Sequence, residues 1–293
     1  MKRHSLPSLA AVADYVALTK PGISLMVLVT TLAGYFIAAR GSLAFWPVFN
    51  VLFGTFLTAA AANSLNMLME TETDKLMKRT AGRPLPSGRM NPGAVAAFGG
   101  TCAIAGGAWL VLRVNVLAAG LALATVATYL LVYTPLKSRT SLSTIAGAIP
   151  GALPPLIGWA AAAGTLSFDA WILFAIQFFW QLPHFLAISW NLREDYTRAG
   201  FPLLAVTDPD GGSTARQIVF QSQALLVVSL IPAVAGKFDI IYFSAALALG
   251  IGFLVLGIQF AMSPSRGSAR RVFFASVLYL PCLFALLAGK AVL

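Results

Sequence analysis

Charged residues and cysteines are both scarce in this chain of 293 amino acids. Only 10% of the residues are Asp, Glu, Lys or Arg, whereas 58% are hydrophobic. About a quarter of the residues are charged in an average soluble domain, so this chain cannot hide its apolar surface inside one water-soluble globule. The two cysteines, Cys102 and Cys282, both lie in apolar stretches and suggest no metal pair. These shortages exclude a soluble enzyme, a secreted disulfide scaffold and a disordered chain.

Long uncharged stretches fill most of the chain instead. Nine long intervals contain no Asp, Glu, Lys or Arg, and each is about as long as the roughly 20 residues that cross a bilayer core, or longer. The intervals are 21–39, 41–69, 90–112, 114–136, 140–168, 170–192, 217–236, 240–265 and 272–289. A segment in hydrocarbon must satisfy its backbone hydrogen bonds internally, so each interval is predicted to be a helix. We therefore predict an all-α polytopic membrane protein with nine transmembrane helices, forming one domain over residues 1–293.

The basic residues predict the orientation of these helices. If the crossings alternate, 16 of the 20 Lys and Arg residues fall on the side of the N-terminus. The other side carries only Arg40, Arg113, Lys237 and Lys290. The positive-inside rule then places the N-terminal segment 1–20 in the cytoplasm and the C-terminus in the periplasm. The N-terminal residues do not form an Arg- and Ser-rich presequence, which favours a bacterial inner membrane. The net charge of +10 is interpreted as a topology signal rather than as a sign of nucleic-acid binding.

Two groups of polar residues lie where spans two and six leave the membrane. Asn66, Glu70 and Asp74 are spaced four apart, so on a helix their oxygen-bearing side chains share one face. Asn191 and Asp195 repeat this spacing after span six. Such oxygen ligands suit Mg²⁺, which binds to one or two carboxylates and keeps waters or substrate phosphates in its other positions. We predict that these five residues are catalytic and hold Mg²⁺. For the first group alone, a solvated helix end with ordinary surface acids is the alternative.

Basic residues lie on the same predicted membrane side as both acidic groups, in the two long cytoplasmic loops 70–89 and 191–216 and in the short loop after span four. They are Lys75, Lys78, Arg79, Arg83, Lys137, Arg139, Arg193 and Arg198. Acids alone would mark a metal site, and bases alone would mark a belt for lipid headgroups. Acids and bases together on one membrane face suit a diphosphate that Mg²⁺ bridges and guanidinium groups bind. Both loops are therefore predicted to be catalytic. The predicted diphosphate-binding residues are Arg79, Arg83, Lys137 and Arg198.

Glycine and proline interrupt span five. The residues concerned are Gly147, Pro150, Gly151, Pro154, Pro155 and Gly158. Proline removes a backbone donor and kinks a helix, and glycine allows close backbone approach. The pattern indicates either tight helix packing with a kink or an opening through which a lipid-like substrate enters the bundle sideways.

Three segments of the chain resemble motifs of a known family. They are 66–85 (NMLMETETDKLMKRTAGRPL), 133–137 (YTPLK) and 180–203, which begins with WQLPHF and ends with DYTRAGFPL. Together and in this order they are similar to the UbiA-type intramembrane prenyltransferases, and more narrowly to the protohaem IX farnesyltransferase (haem O synthase) branch. The resemblance covers roughly residues 15–290. Glu70 stands where the family more often has Asp. Asp195 is followed by Tyr196 rather than by the Asp-x₃-Asp pattern of the quinone prenyltransferases, which favours the haem branch.

The resemblance implies a fold, an activity and its substrates. It implies a UbiA-type bundle of nine helices that transfers the farnesyl group of farnesyl diphosphate to a vinyl group of haem B, with addition of water, giving haem O. Mg²⁺ is the implied cofactor, both substrates are met within the lipid bilayer, and a haem A synthase or oxidase-assembly partner is left open. One alternative is another UbiA-type prenyltransferase that acts on an aromatic or chlorophyll-type acceptor. The other is a haem transporter or scaffold without chemistry of its own.

His184 lies within span six, nine residues from the nearest charged residue, Arg193. Ionisable side chains at such depth are costly and tend to face an internal cavity. With Trp180 and Gln181, His184 is predicted to form a wall of the haem pocket, where it ligates the iron or places the macrocycle by hydrogen bonding. A role as the base in the water addition is also open. The alternative is a histidine that is hydrogen-bonded to a neighbouring helix.

Overall fold

The computed structural model describes residues 9–291 of the chain, with side chains through residue 289. All regular secondary structure in that range is helical. The helices are α1 (Leu9–Leu18), α2 (Pro21–Ala38), α3 (Phe45–Met69), α4 (Thr71–Leu76), α5 (Pro92–Arg113), α6 (Val116–Ala127) with a following π-helical segment (Thr128–Tyr133), α7 (Thr134–Lys137), α8 (Ser143–Ala152), α9 (Pro154–Ala163), α10 (Phe168–Asn191), α11 (Arg193–Arg198), α12 (Leu204–Thr207), α13 (Gly212–Val234), α14 (Ile240–Met262) and α15 (Arg266–Ala291). Residues 1–8 of the predicted cytoplasmic segment and the side chain of Lys290 lie outside the described part.

The nine predicted transmembrane helices are confirmed. Among residues 9–291, nine helical segments are long and apolar enough to cross a membrane, and each overlaps one of the predicted intervals. They are Pro21–Ala38, Phe45–Met69, Pro92–Arg113, Val116–Lys137, Ser143–Ala163, Phe168–Asn191, Gly212–Val234, Ile240–Met262 and Arg266–Gly289. Three of them begin earlier than the uncharged intervals, at Phe168, Gly212 and Arg266, and the last two contain basic residues near their starts. Their first turns tolerate basic residues because a long basic side chain keeps its charge in water while its stem lies along the helix.

Span five consists of α8 and α9, with a break before Pro154. Pro154 and Pro155 have no backbone N–H with which to continue the hydrogen bonding of α8. Just beyond the break, a Cβ on Gly158 would lie 1.8 Å from the carbonyl oxygen of Thr31. The backbones of α9 and α2 therefore touch, which is the tight packing with a kink that the glycine and proline pattern predicts.

Large apolar side chains cover the outside of the bundle. Leu112 is 79% exposed, Leu278 67% and Phe220 61%. Exposure of this extent is costly in water but favourable against lipid tails. The bundle is therefore built to lie in a membrane, with its buried polar residues turned inward.

The loops after α3 and α10 meet at one end of the bundle. Met77, Tyr196, Ala199, Phe201 and Leu203 form a buried hydrophobic cluster that joins loop 70–89 to loop 191–216. We call the end that carries these two loops the loop face. Because α3 and α10 both end there, the two acidic groups are placed on the same side of the bundle.

Candidate active site

The first acidic group keeps its helical spacing although α3 ends at Met69, before Glu70 and Asp74. Glu70 links α3 to α4. Its backbone N–H donates to the carbonyl of Asn66 at 2.9 Å, and the N–H of Asp74 donates to the carbonyl of Glu70 at 2.8 Å. Asn66, Glu70 and Asp74 are buried, with exposures of 2%, 7% and 1%. By contrast, the Glu72 side chain is 82% exposed and pairs with Lys75. The first group is therefore an inward-facing set rather than a solvated helix end.

Each member of the first group pairs with a basic side chain from another part of the chain. Lys137 Nζ lies 3.0 Å from Glu70 Oε1, and Arg83 Nη1 lies 2.6 Å from Asp74 Oδ2. The Glu70 side chain is long enough to reach Lys137, which lies 67 residues further along the chain. Two buried carboxylates are tolerated here because each has an opposite charge within hydrogen-bond distance.

Lys20 completes this network, and the sequence interpretation missed its place in the site. Its Nζ donates to Asn66 Oδ1 at 2.8 Å. The pKa of Lys20 is lowered to about 7, mainly by burial; the charges of Arg83 and Lys137 also lower it, while those of Glu70 and Asp74 raise it. Sequence reasoning used Lys20 only as a topology charge. Its position directly before the first span was the signal that it lies at the membrane boundary.

The second acidic group is less regular. The N–H of Asp195 donates to the carbonyl of Leu192 at 3.0 Å rather than to that of Asn191, so a tighter turn separates α10 from α11. Asn191 Nδ2 donates to the carbonyl of Ala187 at 3.0 Å. Asp195 is partly buried and pairs with Arg198. The four-residue spacing seen in the sequence is thus present, but without the helical hydrogen bond that the first group has.

One oxygen atom in each acidic group is available to a ligand. Asp74 Oδ1 and Asn191 Oδ1 are both buried without a hydrogen-bond partner in the described part of the chain. Buried polar atoms are nearly always satisfied, so each of these oxygens is suited to bind a cation. Within residues 9–291 no three His, Cys, Asp or Glu side chains form a ready-made metal cluster. A small set of carboxylate and amide oxygens suits Mg²⁺, which completes its shell with waters and substrate phosphates.

The predicted diphosphate-binding bases divide into two kinds. Arg83, Lys137 and Arg198 each pair with a predicted metal ligand. Arg79 is exposed on the loop face. Lys137 also connects Glu70 of the first acidic group to the second loop, because its Nζ lies 4.5 Å from the ring centroid of Phe201. The structure therefore brings the first acidic group and the second loop into one region.

A largely apolar cavity of about 500 Å³ lies inside the bundle beside this region. Asn63, one helical turn before Asn66, lines the cavity, and so does Tyr133. The residue after Tyr133, Thr134, accepts a hydrogen bond from Asn66 Nδ2 at 3.1 Å. The polar network thus borders a space suited to an apolar molecule.

The three predicted pocket residues all line this cavity, on one side of α10. Gln181 Nε2 donates to the carbonyl of Ala148 at 2.6 Å. Trp180 stacks on His184 with 4.8 Å between ring centroids, and His184 is hydrogen-bonded to Ser276 of α15. His184 therefore lines the wall of the cavity and is also hydrogen-bonded to a neighbouring helix. The two arrangements that the sequence offers as alternatives for this residue are present together.

Gln177 is a further lining residue that sequence reasoning missed. It is buried, it lines the cavity, and its Oε1 has no hydrogen-bond partner among the described residues. The signal was its spacing, because Gln177 lies four residues before Gln181 and seven before His184, on one helix face. An unpartnered acceptor in this wall can receive a hydrogen bond from a bound molecule.

Known proteins share both the sequence and the fold. The UbiA prenyltransferase family matches residues 27–279. A Solibacter usitatus protein named protoheme IX farnesyltransferase is 48% identical over 283 residues, covering 94% of this chain and 97% of that protein. A Myxococcus xanthus protein of the same name is 41% identical and covers 98% and 97%.

Solved structures of low sequence identity have the same architecture. A digeranylgeranylglyceryl phosphate synthase superposes with a TM-score of 0.81 at 18% identity, covering 96% of this chain and 98% of that one. A UbiA homolog from Archaeoglobus fulgidus bound to GPP and Mg²⁺ gives 0.65 at 13% identity, covering 94% and 99%. The family match over residues 27–279 and the relatives that are 48% and 41% identical, together with nine membrane-spanning segments in the described part of the chain, lead to one conclusion: the chain belongs to the UbiA prenyltransferase family.

Proposed function

We propose that this protein transfers the farnesyl group of farnesyl diphosphate to a vinyl group of haem B, with addition of water, to give haem O. The observation that carries the proposal is the junction of an acid and base network with an apolar cavity that His184 lines. The names of the relatives that are 48% and 41% identical support the choice of both substrates. The charges of the network suit a diphosphate, and the apolar lining of the cavity suits the apolar surfaces of an isoprenoid chain and a porphyrin.

The acidic groups would hold the metal that binds the diphosphate. The proposed ligands are Asn66, Glu70, Asp74, Asn191 and Asp195. The unpartnered oxygens of Asp74 and Asn191 support this role. When bound, Mg²⁺ supplies positive charge that stabilises the departing diphosphate.

The basic residues would exchange their partners when the substrate arrives. Lys137 and Arg83 now neutralise Glu70 and Asp74. Once those carboxylates face a cation, the same bases can turn to the phosphate oxygens at little cost, since they exchange one anionic partner for another. Arg79, Arg198 and Lys20 would complete the binding of the diphosphate. These donors then stabilise the negative charge that develops on the leaving group.

The cavity would shield the organic cation. Loss of diphosphate leaves a farnesyl cation with its positive charge shared over the allylic carbons. Tyr129 and Tyr133 line the cavity, and aromatic faces attract cations. The vinyl π electrons of haem form the new carbon–carbon bond, and the resulting carbocation takes up water and releases one proton. Exclusion of water from the first step prevents early capture of the farnesyl cation.

The loop face would be cytoplasmic. The sixteen-to-four distribution of basic residues supports this orientation, which places the N-terminus in the cytoplasm and the C-terminus in the periplasm of a bacterial inner membrane. The charged diphosphate end of farnesyl diphosphate would then reach the network from the cytoplasm. Haem O is membrane-soluble, so a haem A synthase or oxidase-assembly protein in the same membrane is the proposed receiver of the product.

The direct test is product formation. Membranes that contain the protein are incubated with haem B, farnesyl diphosphate and Mg²⁺, and haem O is sought by its mass. The expected product is lost with EDTA and restored with added Mg²⁺. Formation of a prenylated phenolic acid without haem O would transfer the assignment to another acceptor. Turnover that resists EDTA would contradict the metal-bound diphosphate.

A further inference from the structure

A serine of the last helix determines which proton His184 carries. Ser276 in α15 is fully buried, and its Oγ donates to the carbonyl of Phe273 at 2.6 Å. A serine hydroxyl has one proton, and a backbone carbonyl can only accept. The single proton of Ser276 is therefore used within its own helix.

His184 must then be the donor in its bond to Ser276. His184 Nδ1 lies 2.7 Å from Ser276 Oγ. Because the hydroxyl proton points to Phe273, the oxygen receives the Nδ1 proton through a lone pair. A neutral imidazole carries one N–H, so the other nitrogen, Nε2, has its lone pair available.

The surroundings hold the ring and leave Nε2 without a protein partner among the residues that the structure describes. The imidazole lies between Trp180, with 4.8 Å between centroids, and Phe273, with 5.1 Å. Trp180 is tied to the same point of α15, since its Nε1 donates to the carbonyl of Ser276 at 2.6 Å. Nε2 makes no hydrogen bond within residues 9–291, and His184 lines the cavity. A neutral imidazole with one nitrogen donating to an oxygen acceptor is the arrangement usual for metal-ligating histidines.

We propose that Ser276 fixes His184 as the Nδ1–H tautomer and that His184 Nε2 is the axial ligand of the iron of bound haem B. Ser276 is a positioning residue, because it acts through His184. The inference rests on the proposed function, since haem must be the acceptor. It separates iron ligation from the two other roles considered for His184, hydrogen bonding to the macrocycle and service as a base.

The depth of His184 is consistent with an acceptor held apart from the diphosphate. His184 precedes Asn191 by seven residues of α10, which is about two turns and about 10 Å along the axis. The two side chains therefore leave α10 in nearly the same direction. Ligation at Nε2 would hold the porphyrin in the apolar part of the cavity, below the charged network.

The test is the absorption spectrum of haem B bound to the purified full-length protein in detergent. The wild-type protein is expected to give the Soret band of an imidazole-ligated haem, matched against haem B with free imidazole in the same detergent. His184→Gly should lose this band, and added imidazole should restore it by filling the space left by the ring. Binding of farnesyl diphosphate by the same variant shows that the bundle has folded.

Variants of the serine test the positioning role. Ser276→Ala is expected to weaken haem binding about tenfold, the usual effect of removing the hydrogen-bond partner of a metal ligand. Ser276→Thr keeps the hydroxyl and should restore binding and the spectrum. Ser229→Ala is the matched control, because Ser229 is fully buried and bonded to Tyr279 at 2.9 Å, away from the cavity lining. It should leave the haem spectrum unchanged.

Two results would overturn the inference. One is that His184→Gly gives the same haem spectrum as the wild-type protein and still forms haem O. The proposed function would then stand without iron ligation by His184. The other is an equal loss of haem binding in Ser276→Ala and Ser229→Ala, which would make Ser276 structural only. Failure of the wild-type protein to form haem O from both substrates would instead contradict the proposed function.

Discussion

At the scale of single residues, the site is a set of charges that neutralise one another in pairs. Glu70, Asp74 and Asp195 each have a basic partner. Burying such charges is costly, and the pairs offset much of that cost. In the proposed function, the same residues would provide oxygen ligands and phosphate donors once a metal-bound diphosphate separates them.

Loss of the Asp74 carboxylate should stop turnover. Asp74→Asn keeps the size of the side chain but removes the charge and leaves Arg83 without its partner. We expect turnover to fall roughly a hundredfold or more, as when one preorganised electrostatic contact is removed from an active site. Haem O formed per unit time, at equal protein content in the membrane, is the measurement. Glu72→Gln, on an exposed side chain of the same helix, is the control and should be silent. Full activity of Asp74→Asn would remove Asp74 from the site.

Loss of the Lys20 charge should weaken substrate binding. Lys20→Met keeps most of the length of the side chain but removes the donor to Asn66. A hydrogen bond to a charged group contributes about 1.5 kcal/mol or more, so the KM for farnesyl diphosphate should rise about tenfold. Lys75→Met, whose charge pairs with exposed Glu72, is the matched control. An unchanged KM in Lys20→Met would show that Lys20 takes no part in binding the diphosphate.

At the scale of elements, the bundle depends on close backbone contact around span five. The break before Pro154 lets α9 lie against α2 so closely that Gly158 has no room for a side chain. The neighbouring half of span five, α8, lines the cavity through Gly147 and Gly151. Both glycines of α8 are also closely packed, since a Cβ on Gly147 would lie 2.6 Å from the Tyr133 ring and one on Gly151 would lie 2.1 Å from Gln181 Oε1.

A methyl group on Gly158 should destabilise the protein. Its Cβ would lie 1.8 Å from the carbonyl oxygen of Thr31, so α2 and α9 must move apart. The expected loss is about 1–3 kcal/mol in the free energy of unfolding, measured in detergent with a denaturant. Gly120→Ala in α6 is the control, because a Cβ there meets nothing within 4 Å, and alanine favours a helix over glycine. Equal stability of the two variants would contradict the close contact.

At the scale of the whole molecule, orientation in the membrane decides which compartment supplies the charged substrate. Both acidic groups lie at the loop face, and Ser42, between α2 and α3, lies at the other end. The basic residues predict that the loop face is cytoplasmic. A diphosphate made in the cytoplasm would then reach the network without crossing the bilayer.

Cysteine labelling tests this orientation. In a variant with Cys102→Ala and Cys282→Ala, single substitutions Ser87→Cys and Ser42→Cys place exposed thiols at the loop face and at the opposite end. In intact cells a membrane-impermeant maleimide should label Ser42→Cys and spare Ser87→Cys, which becomes reactive only after the cells are opened. Labelling of Ser87→Cys in intact cells would reverse the topology.

The sequence by itself determined the fold and the candidate residues. Uncharged stretches define the spans, since hydrocarbon rejects charge and requires internal hydrogen bonds. The four-residue spacing from Asn66 to Asp74 placed these oxygens on one helix face, because that is a local property of the backbone. Such properties depend on neighbours in the chain and can be predicted from it.

Only the tertiary structure decided which side chains meet. Lys137 and Glu70 are 67 residues apart, Lys20 and Asn66 are 46 apart, and the partner of His184 lies 92 residues away in the last helix. No local pattern encodes such distances, because they follow from how nine helices pack. The charge pairing of the site and the hydrogen-bond partner of its histidine therefore belong to the assembled bundle.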